Sequence, residues 1–227
     1  MEAFILIGAV LITVLLIIAY KIKSRQLLRR KSHIINFAIP SKVLQTVKSR
    51  YPHLTDSQLN TVESGLREWF HINLMAKGRA VSMPSQVIDV AWHELILFTK
   101  FYEEFCQKAF GRFLHHHPAE AMSSTHAAQQ GIKTAWQLAC EKEQISSIKP
   151  ARLPLIFAID ALLEIEDGFK YALNCRTDSK DNYCATHISC SSVSCGSATN
   201  SNSGGDTSAG GDSGGGGCSG GGCGGGS

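Results

Sequence analysis

Residues 83–118 read MPSQVIDVAWHELILFTKFYEEFCQKAFGRFLHHHP. Pro84 suits the first turn of a helix and Gly111 suits its end, so the stretch predicts one helix running to about Phe110. Ala91, Leu95, Phe98, Tyr102, Phe105 and Ala109 alternate at three- and four-residue spacing, which makes them its core face. Asp89, His93, Ile96, Lys100 and Glu103 form a second, more polar stripe. Asp89 and His93 stand four residues apart, so their side chains can touch.

The flanks carry further helical signals. Pro40-Ser41 opens a short helix that Tyr51-Pro52 closes. Thr55-Asp56-Ser57-Gln58 has the form of a capping box, and a helix follows to about Lys77, with Gly78 as its stop. Pro118 opens another helix through about Glu141. Residues 153–165, LPLIFAIDALLEI, are a fifth candidate, closed by Gly168. The expected fold is all-α, a small bundle of about four to five helices over residues 40–174.

The N-terminus differs in kind. Residues 3–20, AFILIGAVLITVLLIIAY, hold no charge. At 1.5 Å per residue they cover about 27 Å, close to the hydrocarbon thickness of a bilayer. Lys21, Lys23, Arg25, Arg29, Arg30 and Lys31 follow, and no acidic residue lies between Glu2 and Asp56. Basic flanks stay on the cytoplasmic side, so the expected arrangement is a single-pass anchor over residues 1–31, with its N-terminus out and the rest of the chain in the cytoplasm. The bilayer is then a partner through residues 3–20, and the basic flank can rest on anionic head groups. A cleaved signal peptide would carry its positive charge before the apolar run, not after it.

Residues 175–195 are rich in Cys and Ser, and 196–227 are nearly all Gly, Ser, Asp and Asn with Cys218 and Cys223. Such a composition buries too little apolar surface to offset ordering, which predicts a disordered tail. The net charge of +3 over 227 residues is too small to point to a nucleic-acid partner.

Three constellations could carry chemistry. The first is Asp89-x-x-Trp92-His93-Glu94. It falls short of the H-E-x-x-H zinc motif because position 97 is Leu. Asp89 and His93 could supply two ligands, or Asp89 could simply orient His93 as a polar pair at a helix surface. The second is His115-His116-His117-Pro118, a metal-binding triplet or a solvated helix-capping loop. About 20 residues of unbroken helix span about 30 Å, so one site joining Asp89 and His93 to this triplet needs a second chain or a break in the helix. The third, Cys184-x2-His187-x2-Cys190-x4-Cys195, has the residue types of a Cys₃His zinc site without a specific spacing. Its alternative is a thiol-bearing tail. No P-loop and no strand-borne dinucleotide fingerprint is present.

The quoted stretch resembles the core of glycine-rich-domain-containing proteins, and looks most like small bacterial members with an N-terminal membrane helix. The matching positions are Asp89, Trp92, His93, Tyr102, Phe105, Cys106, Gly111, His115, His116 and Pro118. Residues 153–173, the HISCSS element at 187–192 and the Gly/Cys tail are similar too. The resemblance implies a helical domain with a low-complexity tail, and a shared purpose for Asp89, His93, His115 and His116. It implies no mechanism.

The leading expectation is a membrane-tethered helical module that binds or scaffolds a protein partner without catalysis. The alternative is a zinc- or iron-binding protein using Asp89, His93, His115 and His116, such as a metal-dependent hydrolase. A third reading is a redox or metal sensor built on Cys184, His187, Cys190 and Cys195. Nothing in the sequence specifies oligomeric state.

Overall fold

A computed structural model describes residues 2–116, 125–173, 183, 184 and 188. The chain divides into a unit Met1–Ser194 and a second, Cys195–Ser227, and the described residues all belong to the first. They are mostly helical: α1 (Glu2–Ile35), α2 (Ser41–Arg50), α3 (Asp56–Ala76), α4 (Gln86–Leu97), α5 (Thr99–Phe110), α6 (Thr125–Glu143) and α7 (Leu155–Leu162). Two short strands, β1 (Tyr171–Ala172) and β2 (Tyr183–Cys184), pair in parallel, with Tyr171 opposite Tyr183.

The capping box at Thr55 forms as expected. The Thr55 hydroxyl accepts the Gln58 amide at 3.3 Å, and the Gln58 carboxamide oxygen accepts the Thr55 amide at 2.8 Å. The helix it starts, α3, is the centre of the domain and packs against α1, α2, α4, α6 and α7. Trp69, Phe70, Tyr102, Phe105, Trp136 and Phe157 are among its largest fully buried side chains. Gly65 permits the close approach: a Cβ there would sit 2.7 Å from Ile88 Cδ1 on α4.

α1 is one helix among the described residues long and apolar enough to cross a membrane, and its apolar window is unburied. It does not stop at the basic flank. Its last turns enter the domain, where Ile34 is fully buried. Just beyond, Phe37 packs its ring 4.0 Å from Phe105 and 5.1 Å from Phe101.

The single helix expected from Pro84 to Phe110 is two. α4 begins after Ser85, whose hydroxyl accepts the Ile88 amide, so Pro84 lies outside it. Phe98, at φ −79° and ψ 58°, then interrupts the helical path. No Gly or Pro marks the spot; the cause is tertiary. Trp92 and Tyr102 are ten residues apart, about 15 Å along a straight helix, yet their polar atoms bond at 2.9 Å. The bend makes that contact. Gly111, with φ 72°, ends α5 as expected, and the Arg30 guanidinium of α1 lies against it. Pro118 lies outside the described residues. α7 is shorter than residues 153–165.

Asp160 on α7 fixes where α4 begins. Its buried carboxylate accepts the Ser85 hydroxyl at 2.7 Å and the amides of Gln86 at 2.7 Å, Val87 at 3.2 Å and Phe169 at 2.9 Å. An anion here satisfies amides that no helical carbonyl can reach and complements the helix dipole.

A second buried carboxyl bridges α3 and α6. Glu68 is 5% exposed and pairs with Lys142 at 3.0 Å. Burial pushes its carboxyl up to about 7, with Lys142 pulling it down and the neighbouring Glu143 adding to the rise. Burial works against Glu143 as well, but the Leu155 amide, Arg152 and Glu68 outweigh it and hold Glu143 below its ordinary value. The folded domain thus binds a proton at Glu68 that the unfolded chain releases at lower pH. Glu68's contribution to stability is therefore present at acid pH and is lost as pH rises from about 4.5 to about 7. Thermal unfolding of the full chain in detergent, from pH 5 to 8, is expected to show Tm falling less steeply in Glu68→Gln than in the native protein. Parallel profiles would refute the assignment.

Candidate metal centre

The bend at Phe98 and the turn after Gly111 together bring chemistry-bearing side chains to one place. Asp89 and His93 occupy successive turns of one α4 face. His93 Nδ1 lies 3.1 Å from Asp89 Oδ2 and 2.9 Å from the Asp89 carbonyl. His116 arrives from the segment after α5, with Nε2 2.9 Å from Asp89 Oδ1. One ligand atom from each of the three residues lies within 4.8 Å of the other two. Of the two routes the sequence left for joining these residues, a second chain or a helix break, the fold contains the break.

The approach of His116 is held from behind. The Trp92 indole N–H donates to the Tyr102 hydroxyl at 2.9 Å, and that hydroxyl donates to the Leu114 carbonyl at 2.7 Å. Leu114 is two residues before His116. Burial holds the Tyr102 phenol well above its ordinary range, so it stays a neutral donor. The His116 ring packs 4.6 Å from Trp92 and 4.1 Å from His93, centroid to centroid. The three side chains grade from buried to open: His116 is 13% exposed, Asp89 24% and His93 51%.

Two imidazoles and one carboxylate are a donor set suited to zinc or iron(II). Without an ion, the Asp89 carboxylate can accept from both rings.

The other residues singled out from sequence are placed differently. His115 is exposed, with its ring 4.8 Å from Phe113, and it is not in the cluster. His117 lies outside the described residues, as do His187, Cys190 and Cys195; Cys184 is described only as backbone in β2. Trp92 and Tyr102, read from sequence as core aromatics, are core residues that also position the site. Their indole and phenol groups were the signal, since each needs a partner when buried.

Tyr102→Phe keeps the ring but strands the Trp92 N–H and the Leu114 carbonyl. The expected cost is about 2 kcal/mol of stability. Amide exchange over residues 112–116 should quicken while α7 is unaffected. Unchanged exchange in that segment would show that the hydroxyl does not hold the loop.

The comparisons with known proteins come down to one likeness. Neither a curated protein nor a solved structure matches the chain. The family model described as UCP032817-like matches residues 29–192, from the last turns of α1 to beyond β2 and across Asp89, His93 and His116. That match covers well over half of the 227 residues, and the chain belongs to the UCP032817-like family.

Proposed function

We propose that this chain is a membrane-tethered helical module that binds one divalent transition-metal ion, zinc or iron(II), through Asp89, His93 and His116. The observation that carries the reading is the convergence of these three side chains, from α4 and from the segment after α5, within 4.8 Å. Their chemistry supports it, because neutral imidazole and carboxylate are the donors these ions take. The support behind His116 from Trp92, Tyr102 and Leu114 resembles the outer contacts that orient metal ligands. This reading displaces the protein scaffold as the leading one, since the helix break removes the distance objection to a shared site.

The test is elemental analysis of the full chain, purified in detergent without a His tag and reconstituted with zinc or iron(II). About one ion per chain is expected, retained after truncation beyond Asn174 and lost in His93→Ala/His116→Ala. Metal lost only on truncation would move the site to the cysteine segment. No metal in the native chain would return the module to a purely scaffolding role.

The tether is a single pass of α1, with the N-terminus out and the domain in the cytoplasm. The uninterrupted apolar run and the basic residues 21–31 support this. Protease added to intact cells is expected to spare the domain, and protease added to inverted vesicles to digest it. The opposite pattern would reverse the topology.

A further inference from the structure

We propose that an ion in this centre keeps an open face and takes an anionic oxygen donor, the carboxylate or phosphate group of a small molecule, as an exogenous ligand. The inference rests on the metal reading above and goes beyond it, because it makes the centre a reactive or sensing site rather than a structural staple.

Ligand number comes first. A structural zinc site is closed by four protein donors, whereas three protein donors leave a position for water or substrate; iron(II) in a two-histidine, one-carboxylate set keeps still more. Among the described residues the cluster holds three donors and no fourth. Of its two neighbouring imidazoles, His115 packs on Phe113, and His117 lies outside the described residues.

The side from which the donors come is next. Asp89 and His93 rise from one face of α4, and His116 closes in beside Trp92. The polar groups behind them are already engaged: the Trp92 N–H by the Tyr102 hydroxyl, and that hydroxyl by the Leu114 carbonyl. The exposure gradient from His116 through Asp89 to His93 runs the other way, so the half-exposed His93 marks the open face.

Charge then selects the ligand. Two neutral imidazoles and one carboxylate do not neutralise a divalent ion, and the remaining positive charge favours an anion over a neutral donor. Zinc and iron(II) both accept hard oxygen ligands, and an incoming carboxylate or phosphate would replace bound water.

Cobalt(II) is a coloured substitute for zinc, so the full chain in detergent can be loaded with it and titrated separately with acetate and with inorganic phosphate. Bound cobalt is counted after each addition, so that stripping is not mistaken for ligation. The expected result is one cobalt per chain, absent in His93→Ala/His116→Ala, with a visible band that either anion shifts saturably. A response to phosphate alone assigns a phosphate-bearing ligand, and a response to acetate alone a carboxylate. A four-coordinate band that no anion moves would overturn the inference while leaving the metal reading intact, because a further protein donor would then close the site. Failure to bind cobalt, zinc or iron(II) at all would overturn both.

Discussion

The Tyr102 hydroxyl stands where two separate parts of the chain must meet. It accepts from Trp92 on α4 and donates to the Leu114 carbonyl beyond α5. A phenol buried among Phe105, Phe113 and Trp92 must find partners or lose the hydrogen bonds that water would have supplied. Satisfying it requires α4 and α5 to bend at Phe98, and requires the chain after Gly111 to turn back along α5. His116 is carried to Asp89 by that return. One buried polar atom thus links core packing, the helix break and the geometry of the candidate centre.

Asp160 plays the matching role at the other end of α4. Its carboxylate gathers the Ser85 hydroxyl and the first amides of the helix, and it also accepts the Phe169 amide. With its start held by α7 and its end fixed by the bend, α4 has little freedom to rotate. The face bearing Asp89 and His93 is therefore set by the core rather than by the ligands. Under the proposed metal reading such a centre is preorganised: the helix scaffold, rather than an incoming ion, meets most of the ordering cost.

The buried end of α1 ties this domain to the apolar N-terminal helix. Ile34 and Phe37 lie in the core, and Arg30 lies against Gly111, where the segment bearing His116 begins. A flexible linker between the apolar run and the domain would have decoupled the two. A continuous helix does not, so the domain is held to the apolar helix through packed side chains.

Local signals were legible in the residues alone. The capping box at Thr55, the stop at Gly111, the apolar run of residues 3–20 and the helical periodicity all rest on neighbours within a few positions, where backbone geometry is the deciding physics. The candidate residues Asp89, His93 and His116 were also visible, by type and by the i to i+4 spacing of the first two. The break at Phe98 was not visible, because no Gly or Pro announces it and the Trp92–Tyr102 contact that it permits is tertiary. The separation of His116 from His115 was equally hidden, since adjacent residues outside a helix diverge according to what each can pack against: Trp92 for one, Phe113 for the other. Asp160 carried no local signal, because its cap on α4 depends on contacts more than seventy positions away. The sequence by itself determined helices, caps and a long apolar N-terminal helix, because those depend on short-range patterns. Only the tertiary structure decided which imidazoles meet the carboxylate, because that depends on where buried polar groups find their partners.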